Sequence, residues 1–183
     1  MRHVACSVIR VVCGVTLLCW LMSVGACRTV VLTGRDFEAI AQKKMDEIRK
    51  LDTQSFLGMG IGTAENDSVA ANDARLWALG DLSKSIRTGI RETIGIFRES
   101  SLSAKVQKDV QVIEQDLLEA TKRSFPPRLS YRLITSWKDD SGHCYAAMVV
   151  TIRKLDYMKY YFSLLPLESP NEILSRVQNL FKQ

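Results

Sequence analysis

Three glycines on alternate residues, Gly58, Gly60 and Gly62, stand just ahead of a helical stretch in "FLGMGIGTAENDSVAANDARLWALGDLSKSI", residues 56–86. Glycines between a strand and a helix can cradle a phosphate, so the first chemistry to weigh is nucleotide binding. A dinucleotide fingerprint needs Gly-x-Gly-x-x-Gly within the turn, with the helix N-terminus aimed at the pyrophosphate. Here the third glycine comes one residue early, and "TAEND" separates Gly62 from the helix. Glu65 and Asp67 place two carboxylates where an anion would sit, and no Gly-Lys-Ser/Thr follows to complete a P-loop. The expectation is that the chain binds no nucleotide and needs no cofactor.

Nucleophilic and metal chemistry are equally short of residues. Beyond residue 27 the chain has one histidine, His143, and one cysteine, Cys144. They cannot supply a His-rich or Cys-rich metal site. A serine triad would have to draw on His143 inside a hairpin turn, with no nucleophile elbow anywhere. His143 and Cys144 are neighbours, and neighbours in a strand point to opposite faces, so Cys144 reads as a structural thiol. Paired carboxylates of the glycosidase kind stay open on sequence. No catalytic residue and no metal ligand is assigned, and the chain is read as no enzyme.

A fourth candidate chemistry is lipidation. Arg2 and Arg10 precede the apolar run "VVCGVTLLCWLM", residues 11–22, which ends in the small residues of "SVGAC", residues 23–27. The run has the length of a signal-peptide core and falls short of the roughly 18 residues a spanning helix needs. A small-residue stretch before a cysteine resembles a bacterial lipoprotein signal. That resemblance implies cleavage after Ala26 and acylation of Cys27, although Val24 stands where the pattern usually has Leu. An ordinary cleaved signal peptide and an uncleaved N-terminal anchor are the competing readings, and both export the remainder. Arg28 rather than Asp follows the cysteine, which by resemblance to the sorting rule of enteric bacteria implies the outer membrane, facing the periplasm. Of the five cysteines, Cys6, Cys13, Cys19 and Cys27 fall in or at the end of this segment, so the folded part holds no disulfide framework.

The expected organisation is a signal peptide at 1–26, a lipidated tether at 27–34 and a single α+β domain at 35–183. Removing Arg2 and Arg10 leaves 23 basic residues against 20 acidic ones, well mixed, so the basic balance does not indicate nucleic acid. Phe37, Ile40, Ala41, Met45, Ile48 and Leu51 recur at helical spacing. In "FLGMGIGTA" the glycines share one side of a strand, which weakens it and marks close backbone approach. Ser68 or Asp67 can cap the following helix, whose repeating face is Ala70, Ala74, Trp77, Ala78, Asp81, Leu82, Ser85 and Ile86. Those small residues would let the helix lie close on the glycine side. Asp81, the polar residue on that stripe, reads as a partner for backbone donors.

Residues 88–100, "TGIRETIGIFRES", read as a second strand, with a helix continuing from the previous one as the alternative. Leu102, Val106, Val110, Ile113, Leu117 and Ala120 make an amphipathic helix that ends before Pro126 and Pro127. Next comes a hairpin: Leu129, Tyr131, Leu133, Thr135 and Trp137 alternate with polar neighbours and Ile134, "KDDSGH" turns, and Cys144, Ala146, Met148, Val150 and Ile152 share the returning face. "DYMKYYFSLL" reads as a helix, and "SPNE", residues 169–172, as a capping box that opens a last helix. The aromatic cluster Tyr157, Tyr160, Tyr161 and Phe162 is core at this spacing, with an exposed interface as the alternative. The sum is a small, mostly antiparallel sheet with amphipathic helices on one face.

The stretch "GMGIGTAENDSVAANDARLWALGDLSKSI" is similar to the signature of the LPP20-type lipoprotein domain, itself related to the N-terminal domain of flagellar assembly protein T. The shared pattern is a glycine-containing strand, a polar gap and an alanine-rich helix ending Ala-x-x-Asp-Leu-x-x-x-Ile, here Ala78, Asp81, Leu82 and Ile86. "ITSWKDDSGHCYAAMVVTI" resembles the family's closing hairpin. The resemblance covers most of residues 55–155 and implies a non-catalytic envelope lipoprotein. Its partners would be membrane lipid through Cys27 and envelope proteins, flagellar ones among them. A carrier of a hydrophobic ligand and a cell-wall-acting hydrolase are the alternative functions.

Overall fold

The computed structural model describes residues 33–99, 103–119 and 128–181; the expected signal peptide and Cys27 lie outside them. The first element, α1 (Gly34–Leu51), is capped by Thr33, whose Oγ1 accepts from the Asp36 amide while Asp36 accepts from the Thr33 amide at 2.8 Å. This reciprocal box makes the last two residues assigned to the tether part of the helix start. Strand β1 (Ser55–Ala64) leads to α2 (Asp67–Glu99), a helix of 33 residues and so about 50 Å long. Asn66, not Ser68 or Asp67, accepts the Val69 amide at its entry.

Over residues 88–99 the expected strand is replaced by its alternative, a helix continuing from the previous one. Ile86, Ile90, Ile94 and Phe97 are buried at steps of four, four and three, whereas Ile96 is 47% exposed. Interleaved isoleucines favour a strand locally, but the stripe continues the phase set by Ala78 and Leu82 and finds a core to enter. Helix α3 (Ala104–Glu119) buries Val106, Val110, Ile113 and Leu117 against it, as the spacing predicts.

Strands β2 (Ser130–Lys138) and β3 (Cys144–Arg153) form the hairpin, and the sheet order is β1-β3-β2, all antiparallel. The turn needs Gly142 at φ +95°, a region side chains rarely adopt. The alternation read along β2 does not run through. Leu133 pairs with Met148 but Thr135 pairs with Ala147, so a bulge at Ile134 moves Thr135 and Trp137 to the opposite face. Helices α4 (Lys154–Ser163) and α5 (Pro170–Leu180) close the chain. The Ser169 hydroxyl makes no cap bond, so the expected capping box is absent. Asp109 of α3 takes its place, accepting the Glu168 and Ser169 amides at 2.7 and 2.8 Å.

The class is α+β, as the element order predicts. Helix packing is two-sided, however. The C-terminal half of α2 joins α3, α4 and α5 in the main core with Phe56, Val150 and Ile152. On the other side of the sheet, Phe37, Ala41 and Met45 of α1 pack on Ala147, Met59, Ile61 and Trp137. Both sides of β3 are thus covered, and its burial is nearly continuous.

Candidate functional site

The glycine side of β1 faces α2. A Cβ built on Gly58, Gly60 or Gly62 would overlap backbone of α2: Ala78 and Leu82, Ala74 and Ala78, and Ala70 and Ala74 respectively. Ala70, Ala74 and Ala78 are fully buried there, beside Ala146 of β3. Small residues on both elements let helix backbone lie directly on strand backbone, which is the work the alternating glycines perform. One residue of the expected helix face departs from it: Trp77 is 70% exposed, thrown to the flank beyond the strand.

That flank borders the outer edge of β1. In an antiparallel strand the main-chain groups of alternate residues point to opposite sides. Asp81 Oδ2 accepts the Met59 amide at 3.1 Å, so Met59 points away from β3. Asp81 bonds a backbone donor, as its place in the stripe suggests. Around this edge lies a groove of about 600 Å³, lined on the α2 side by Trp77, Gly80, Asp81 and Lys84 and on the α1 side by Gln42, Met45 and Arg49. A second hollow of about 500 Å³ shares Arg49, Asp81 and Lys84 and extends past Leu57, Phe56 and Ser55 toward Lys154. Sequence reading missed this site, because Gln42 and Arg49 sit on the polar face of α1 and look like solvated residues there.

The hairpin turn brings together Asp139, Ser141 and His143, the three residue types of a hydrolytic triad. The Ser141 Oγ lies 2.7 Å from Asp139 Oδ1 and 2.7 Å from His143 Nδ1, and Asp139 Oδ2 is 3.6 Å from the same Nδ1. A triad needs both ring nitrogens, one for the serine and one for the carboxylate. Here both partners meet one nitrogen, and the single serine proton goes to Asp139. The Ser141 hydroxyl, first, and the His143 amide hold the Asp139 carboxyl below its usual range. The constellation ties the turn and activates no nucleophile.

Cys144 is 1% exposed among Ala70, Ala74 and Ala146, with its sulfur 3.8 Å from the Glu65 and Gly142 carbonyl oxygens. Burial, first, and the nearby Asp67 carboxylate push its thiol up. The thiol stays protonated above the ordinary cysteine range, so Cys144 in the native protein at pH 8 is expected to resist iodoacetamide and to react promptly once unfolded. Rapid alkylation of the folded protein, read by mass spectrometry, would reverse that assignment. Tyr161 and Phe162 are buried in the main core, Tyr157 packs against it, and Tyr161 donates to Asp116 at 2.7 Å. Among the described residues no group of three His, Cys, Asp or Glu is placed to hold a metal, and no helix is long and apolar enough to cross a membrane. No family model, curated protein or solved structure matches this chain.

Proposed function

We propose that this chain is a non-catalytic lipoprotein of the bacterial cell envelope, held on the outer membrane through an acylated Cys27 and presenting its α+β domain to the periplasm as a binding module. The observation that carries the binding half is the groove along the outer edge of β1, walled by α1 and α2 and holding Arg49, Asp81 and Lys84. The reactive-looking groups of the described residues support the same reading, since each is engaged in the fold: Cys144 under the alanines, Ser141 and His143 in the turn. The anchoring half rests on the sequence ahead of Cys27 and on physics. Each buried methylene contributes about 0.8 kcal/mol, and two or more chains anchor stably. Likeness to the LPP20-type domain favours envelope proteins as partners, with flagellar assembly as one setting.

The test uses the full chain in a bacterial host fed an alkyne fatty acid. Wild type is expected to carry label and sediment with membranes, while Cys27→Ser loses the label and appears in the soluble fraction. Unlabelled wild type, or a Cys27→Ser protein that stays on the membrane, would overturn the anchor. Turnover of peptidoglycan fragments by the purified protein would overturn the non-catalytic reading.

A further inference from the structure

We propose that the outer edge of β1 takes an extended peptide strand bearing an acidic side chain, which replaces Asp81 at the Met59 amide and lies between Arg49 and Lys84. The inference deepens the binding-module reading and is independent of the anchor. It starts from strand phase. Gly58, Gly60 and Gly62 pair with Val150, Met148 and Ala146 of β3 in the alternating antiparallel register. Met59 points outward to Asp81, so Leu57 and Ile61, two residues either side, point outward as well. Among the described residues, Asp81 is the one side chain that bonds this row of amides. Donors and acceptors repeating every second residue along a line are matched by another extended main chain, lying about 4.8 Å away.

The groove has the shape for it. Close packing on the glycines sets α2 directly over β1, so Trp77 and Lys84 flank the edge from one face while Gln42 and Arg49 flank it from the other, with the buried Met45 at the groove floor. A second copy of this chain does not fit. Its own edge carries helices on both faces, and packed helices need about 8–10 Å between axes, twice the strand spacing. A strand without flanking helices does fit. Charge selects what it carries. Lys84 has no ion-pair partner among the described residues, and Arg49 has one carboxylate partner, Asp46 at 3.7 Å on the surface, beside a weak bond to the Met59 sulfur at 3.7 Å. Asp81 supplies the carboxylate between them, spent on a main-chain amide. Asp52 and Glu92 line the second hollow together with Arg49, Lys84 and Lys154, and neither lines the groove at Met59. An incoming carboxylate in the middle of a strand therefore meets two cations, and Trp77 offers an aromatic wall beside it.

The probe is the blocked peptide acetyl-Thr-Val-Thr-Glu-Thr-Val-Thr-amide, added to the full chain purified in detergent micelles and read by amide hydrogen exchange. At about millimolar peptide, enough to populate weak binding, exchange at Leu57, Met59 and Ile61 is expected to slow about tenfold or more. A peptide with Lys for the Glu is expected to protect several-fold less. One N-methylated on alternate residues, which keeps the side chains and loses the donors, is expected not to protect at all. The Asp81→Asn protein, whose neutral side chain competes less for the amide, is expected to bind the acidic peptide more tightly. No slowing at 57–61 overturns the proposal, as does equal protection by the N-methylated peptide or protection confined to 130–138 on the other edge. None of these results touches the Cys27→Ser fractionation.

Discussion

Gly60→Ala is expected to remove about 4 kcal/mol or more of the domain's stability. A Cβ at this position would overlap the Ala74 carbonyl oxygen and the Ala78 nitrogen and stand 2.8 Å from the Trp77 Cβ. The obstacles are helix backbone, which cannot turn aside as a side chain can. Relief requires α2 to lift off β1, opening the packing of Ala74, Ala78 and Leu82, all fully buried. Overpacking against side chains costs about 1–3 kcal/mol, and backbone contact exceeds that, so a loss of about 4 kcal/mol or more is expected. A domain of this size has about 5–15 kcal/mol in all. Gly95→Ala is the control: nothing stands within 4 Å of its Cβ, on an exposed turn of the same helix. It is expected to stabilise by about 0.5–1 kcal/mol, the helix preference of alanine over glycine. Urea denaturation measures both. A Gly60→Ala midpoint equal to wild type would refute the direct seating of α2 on β1.

Asp109→Ala carries the second large effect. The carboxylate is 1% exposed and accepts two main-chain amides, from Glu168 and Ser169, at 2.7 and 2.8 Å. Those bonds fix the start of α5 and hence the burial of Ile173 and Val177 in the main core. Removing the acceptor strands two donors and leaves a hole, for a loss of about 2–4 kcal/mol. Asp109→Asn keeps the volume and one acceptor, so it is expected to recover part of that. Ser169→Ala separates this arrangement from a local cap. A capping box would lose about 1 kcal/mol, whereas here the hydroxyl makes no cap bond and the expected change is a few tenths. If Ser169→Ala proves as damaging as Asp109→Ala, the assignment of the cap to Asp109 fails.

Ser169 shows why parts of the fold were illegible. The order Ser-Pro-Asn-Glu is what a self-capped helix looks like, and nothing nearby in sequence says that Asp109, some 60 residues earlier, takes the Ser169 amide that Glu172 would hold in a capping box. Residues 88–99 mislead for the same reason. Their isoleucines fit a strand by local preference, and the helix wins because its stripe meets α3 and α4 across the core. The bulge at Ile134 is a third case, where one residue moves Trp137 to the side of Phe37. The β1 groove needed two helices on opposite faces to flank one edge, and neither helix announces it alone.

What the chain determined by itself is what depends on neighbours a few residues apart: the amphipathic helices, the hairpin with its glycine turn, the close fit of Gly58, Gly60 and Gly62 to an alanine-rich helix, and the lack of local catalytic motifs. The tertiary structure alone decided the length of α2, the second helical layer, the capping of α5 by Asp109, and the walled edge of β1. The division has a physical cause. Backbone preference and side-chain period are short-range energies, written within about one or two turns of chain, whereas burial and the pairing of donors with acceptors are settled between segments that meet only once the chain has folded.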